Sequence, residues 1–326
     1  MTQGARPGVP RRTVMVGLVA AVLPASGCGI RLEDDAPAVP LVPTRTPVPA
    51  EAELVALTRD TASLADLAEA VPGAVAADLA TLHRRQYSVL RTTLLSAQVP
   101  AADLDTPAPA GTPSTAGPTN PTGTPSASGA APSSPPVVGR SELAEAEGAS
   151  AAAAATFAGV EPSLRATMAS LHAQRYAAAT LLAGRPPTVP LDPVAGNRVA
   201  ALATSTSAAG YFLEVVAARS TGRQRARADA TLAALRDLRA DQLAGGAIAD
   251  ASLGHPLPFP VEDSADAARL ARQALTSLRA GYGEHLEPLV TSDGGAGLAA
   301  LTRWLGAVEV EAHRWGVDLA PFPGLA

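Results

Sequence analysis

The sequence predicts an all-α protein built as two helical units, duplicated helical hairpins followed by an antiparallel four-helix bundle. Three observations carry this. Alanine dominates the chain and aromatic residues make up only 3% of it. Alanine-rich segments favour helix and pack closely, whereas strands draw on the β-branched and aromatic residues that are scarce here. Apolar residues recur at three- and four-residue spacing between Pro/Gly breaks, and 326 residues allow two modest domains with tails. The formal charge is -5, there is no lysine, and the mature chain has no concentrated basic stretch. These features argue against a phosphate-binding surface, and so against nucleic acid as a partner.

Taken in order, residues 1–27 read as a signal peptide. Arg6, Arg11 and Arg12 precede an apolar run from Val14 to Leu23, followed by Ala25-Ser26-Gly27-Cys28. The run is too short to span a bilayer, and Pro24 and the charged Arg31 to Asp35 follow it. The segment resembles a lipobox, with Ala25 where leucine is usual. Cys28, the only cysteine, would then be acylated and anchor the chain to the membrane at its extracytoplasmic face. Arg11-Arg12-Thr13-Val14-Met15 also resembles a twin-arginine export signal. Residues 28–50, with five prolines from Pro37 to Pro49, read as an extended tether.

Residues 51–185 contain an internal repeat at a shift of 89 residues, with no gap. Glu53-Leu54 falls on Glu142-Leu143, and Leu82-His83-x-x-Gln86-Tyr87 on Leu171-His172-x-x-Arg175-Tyr176. Each copy reads as two helices, broken at Pro72-Gly73 in the first and around Gly159 to Pro162 in the second. The Pro/Ser/Thr-rich stretch 102–139 interrupts the copies and is expected to be disordered, because it has no apolar face to bury. After Pro186 to Pro193, four helices are expected at roughly 197–219, 222–244, 264–287 and 295–315, forming a bundle over 195–321. Thr221 to Gln224 has capping-box spacing, Gly245-Gly246 can close the second helix, and Asp263 to Asp266 offers caps for the third. The last carries Leu298, Leu301, Leu305, Val308, Ala312 and Trp315 along one seam.

Leu257-Pro258-Phe259-Pro260-Val261, the helix after it and the ending Trp315-Gly316 to Pro321-Phe322-Pro323-Gly324-Leu325 resemble a ferritin-like domain of unknown function found in actinobacterial lipoproteins. The match covers about residues 195–325 and implies a ferritin-like four-helix bundle, with no established activity attached. A Glu-His pair frequent in the first bundle helix of that family is not found in Ala203 to Ser207.

A ferritin-like di-metal site needs Glu-x-x-His on two helices, and none of the five histidines has Glu three residues before it. A reduced site, for iron or manganese, would use Glu309 and His313 on one helical face with Glu214 and His285. His83 and His172 occupy equivalent repeat positions. Levelled across an antiparallel hairpin, His83 lies opposite Asp60 to Ala62, and His172 opposite Glu147 to Gly148. Such a His-x-x-x-Tyr pair reads as packing, with the imidazole hydrogen-bonded at the bundle surface. Trp304 and Trp315 read as core or rim, or as the wall of a small-molecule pocket. No nucleophile, phosphate loop or catalytic triad emerges. The expected function is therefore that of a membrane-anchored, non-catalytic helical binding or scaffold protein of the cell envelope, with an envelope protein or a small ligand as partner. A divergent ferritin-like metal-binding protein or oxidase, and a small-ligand receptor using a cleft between the helical units, are the alternatives.

Overall fold

A computed structural model describes residues 45–105, 139–248, 252 and 254–325, and among the described residues every regular element is helical. Helix α1 is Glu51–Ala70, α2 Ala74–Ser96, α3 Ala101–Asp105 and α4 Arg140–Ala152; a 3-10 helix, Ala154–Gly159, leads into α5, Pro162–Ala183. Helices α6 (Gly196–Ala218), α7 (Gly222–Ala244), α8 (Ser264–Glu284) and α9 (Leu286–Arg314) follow. Residues 1–27, with Cys28 and most of the tether, lie outside the described residues, as does nearly all of the Pro/Ser/Thr stretch.

The breaks have local causes. Pro72 cannot continue α1, and Gly73 takes φ 123°, open only to a residue without a side chain. Pro162 opens α5, where its missing N–H costs nothing. Asp263 caps α8 by accepting from the amides of Ala265 and Asp266.

Three expectations are corrected. Residues 102–105, placed in the disordered stretch, belong to α3, because Leu104 is buried and Asp105 pairs with Arg91. The second hairpin's break begins earlier, at Ala153, and takes the form of a 3-10 turn. Thr221 precedes α7 but makes no side-chain cap bond, and Gln224 donates instead to the Ser264 carbonyl. The last helix opens after Gly294, whose φ of 52° breaks the backbone, as expected; the helical segment from Leu286 up to that break is the feature the sequence pattern does not separate.

The two repeat hairpins pair side by side: α1 packs on α2 and α4 on α5, while α1 also meets α4 and α2 meets α5. Helix α5 then lies along α9. The close approach depends on Gly306, where a Cβ would fall 2.8 Å from the Ala173 carbonyl oxygen. Beyond it, α6 packs on α7 and α8, α8 on α9, and α7 on α9. The apolar core does not stop at the Pro186 to Pro193 segment: Leu54, Leu90, Leu171, Leu202, Leu275 and Leu305 belong to one buried cluster. The seam of α9 is buried along its length, from Leu298 to Trp315. Helix α6 has the length and apolarity of a membrane span, but its Val199, Leu202, Leu213 and Val216 are buried in this core.

Candidate functional site

The residues proposed for a reduced metal site do not converge. Glu309 is fully buried, but its carboxylate accepts from Arg279 at 3.0 Å and from the Ala320 amide at 2.6 Å. Burial pushes its pKa up against the pull of Arg279. Glu214 is exposed on α6, 3.9 Å from Arg236. His285 sits at the α8–α9 junction and His313 is half-buried in the last turn of α9. Among the described residues, no three Asp, Glu, His or Cys side chains are placed to share a metal ion. The interior shared by α6, α7 and α8 is polar without being charged: the buried Tyr282 hydroxyl meets Thr206 Oγ1 at 2.9 Å and accepts from Gln242. Both tryptophans are core residues, with Trp315 Nε1 donating to Thr231 at 3.0 Å.

The charged interior lies instead within the repeat. His83 on α2, Glu147 on α4, Arg175 on α5 and Thr61 on α1 are all fully buried and bonded to one another. Glu147 Oε1 lies 2.6 Å from His83 Nε2, and Arg175 Nη1 lies 2.5 Å from His83 Nδ1. Arg175 also donates to Glu147 Oε2 at 3.5 Å and to Thr61 Oγ1 at 3.1 Å. Burial and the neighbouring guanidinium hold the His83 pKa down, so it is the neutral member, with Nε2–H donating to the carboxylate and Nδ1 accepting from arginine. Burial alone would raise the Glu147 pKa, but His83 and Arg175 outweigh it and keep the group ionised. The expectation for the histidines is thus corrected. They are buried rather than at the bundle surface, and the carboxylate that His83 bonds comes from the opposite hairpin.

The 89-residue shift carries Thr61, His83, Glu147 and Arg175 onto Ser150, His172, Thr58 and Gln86. On each of the four helices the two equivalent layers are three residues apart, so a second layer sits one turn from the first. In it the ion pair is gone. Thr58 stands where the first layer has Glu147, Gln86 where it has Arg175, and both are fully buried. Thr58 turns its hydroxyl back to the Leu54 carbonyl at 2.7 Å, and Gln86 donates to the Pro321 carbonyl at 2.6 Å.

His172 is left without its carboxylate. It is fully buried, and neither ring nitrogen has a hydrogen-bond partner; the main chain at Ser150 is near enough to act on its charge but not in bonding geometry. Burial, then Arg175, pushes its pKa down to about 3, so the ring is neutral. It rests on the Phe157 ring, centroids 5.0 Å apart. Both rings line a cleft of about 540 Å³ between α1 on one side and α4 with the 3-10 helix on the other. Its floor and walls are largely apolar, with Leu57, Leu64, Ala146 and Ala153. Its charged groups are Glu53 and Asp60, both exposed on α1. Crowding by neighbouring protein raises the Asp60 pKa, and Arg175 partly opposes this. A concave, mainly apolar site with a few convergent polar groups is what small-molecule binding requires.

The chain matches no known family, and neither the characterised proteins nor the solved structures compared with it include a match.

Proposed function

We propose that this chain is a lipid-anchored, non-catalytic binding protein of the cell envelope, held at the extracytoplasmic face of the membrane through Cys28, and that the cleft between α1 and α4 is its receptor site for a small apolar ligand. The observation that carries the receptor reading is His172, a buried imidazole with both nitrogens unpaired on the floor of a cleft. A buried polar group without a partner costs roughly 1–3 kcal/mol. Phenylalanine would fill the same space without that cost, so retention of an imidazole fits a group reserved for a ligand. Export and anchoring rest on the signal-like residues 1–27, the lipobox-like Ala25 to Cys28 and the proline-rich residues 28–50. The four C-terminal helices, read as a ferritin-like bundle, serve as the platform on which α5 is laid.

Two measurements test the reading. Replacement of Cys28 by alanine should move the protein from the membrane to the soluble fraction. In that detergent-free full chain, the apolar dye Nile red should bind saturably at one site, and Ala149→Trp, which fills the exposed wall of the cleft, should abolish binding while leaving the thermal melt unchanged. Dye binding indifferent to Ala149→Trp would remove the cleft from consideration.

A further inference from the structure

The cleft's polar groups constrain the chemistry of what it holds. Of its lining residues, only Glu53 and Asp60 carry charge, and both are acids. They lie seven residues apart on α1, on one helical face. The nearest buried cation, Arg175, is bonded to Glu147, His83 and Thr61. A ligand carboxylate would therefore meet two like charges and no free cation, with only the neutral N–H of His172 in place of a charged partner. A neutral polar group would leave the acidic rim unused. His172, unprotonated, presents a lone pair as well as an N–H, and the Phe157 ring packs against it.

We propose, resting on the receptor reading above, that the cleft takes an apolar primary amine: its ammonium pairs with Asp60 at the rim and donates to a ring nitrogen of His172, and its hydrocarbon lies against Leu57, Leu64 and Phe157. The His172 nitrogens are covered in the structure, so the ligand reaches them when the wall beside Phe157 gives way. That wall is the 3-10 segment Ala154–Gly159, whose hydrogen bonds are of poorer geometry than those of an α-helix.

The test is isothermal titration calorimetry of the full Cys28→Ala chain, at physiological ionic strength, with octylamine, octanol and octanoate. The amine should bind at one site about tenfold more tightly than the alcohol, the difference between a charge-assisted and a neutral hydrogen bond. Octanoate should bind more weakly than either. Asp60→Asn, an exposed substitution that leaves the fold intact, should erase the amine's advantage without weakening octanol. His172→Phe should reduce amine binding while retaining the alcohol. Equal binding of amine and alcohol, or tightest binding of octanoate, overturns the amine assignment while leaving the apolar receptor standing. Absence of binding by all three removes the receptor reading with it.

Discussion

The two layers of the paired hairpins occupy equivalent positions of the 89-residue repeat and hold opposite kinds of residue, charged against neutral, at two of them. In the Thr61, His83, Glu147 and Arg175 layer, every charged group is paired and sealed from water. One turn away, the equivalent Ser150, His172, Thr58 and Gln86 layer holds neither anion nor cation and borders an open cleft. One charge alone in such a layer would be buried and unpaired, at about 3–5 kcal/mol. With neither charge present, the layer is neutral and its one unmet demand is His172. The first layer ties three helices to Arg175 and fixes their register; the second carries no such tie and lies beside the cleft.

The comparison can be broken most severely in the paired layer. Glu147→Thr and Arg175→Gln should each destabilise the protein by about 3–5 kcal/mol in urea unfolding. The double substitution, which copies the second layer's residues into the first, should cost several kcal/mol less than the sum of the two. Simple additivity would mean that the charges are not coupled.

The acid response comes next. The folded pKa of His172, about 3, lies below that of an unfolded histidine, so between pH 6.5 and about 3 the unfolded chain binds the extra proton. His83 is shifted in the same direction. Stability should therefore fall as pH is lowered through this window, by up to about 1.4 kcal/mol per pH unit for each histidine. His172→Phe should remove its share of that slope. An unchanged slope in the variant would place the His172 titration elsewhere.

At neutral pH the two histidines should separate in sign. His172→Phe, which removes unpaired polar atoms, should stabilise by about 1–3 kcal/mol, whereas His83→Phe, which strips a partner from both Glu147 and Arg175, should destabilise; thermal melts decide it. The smallest contrast lies in the threonines. Thr61→Val removes the acceptor of Arg175 Nη2 and should cost about 1–3 kcal/mol, while Thr58→Val loses only a bond within its own helix and should cost less than about 1 kcal/mol.

Much of this fold is legible in the chain. The Pro72-Gly73 break, the cap at Asp263 and the seam from Leu298 to Trp315 are local signals with local causes, and α7 runs from Gly222 to Ala244 as the punctuation predicts. The repeat also put His83 at the right height, level with Thr61. It did not give the partner. The approach of Glu147 depends on how two hairpins pair, a long-range contact that periodicity does not encode. Glu147 itself lies in an alanine-rich helix among Glu142 and Glu145, where nothing distinguishes the buried acid from the exposed ones. The 3-10 turn was hidden for a related reason: Ala151 to Ala155 carries no break signal. The four residues named for a metal are not brought together among the described residues, because a helical face shared by Glu309 and His313 does not specify what crosses from the next helix, and there Arg279 arrives.

The most direct test of the divided repeat is nitrogen NMR of the histidine side chains during titration with octylamine. The His172 ring resonances should move saturably, with the midpoint found by calorimetry, while those of His83, locked between Glu147 and Arg175, stay fixed. Heat of binding with His172 unmoved, or His83 moving in its place, would contradict the assignment of the cleft as the open half of the repeat.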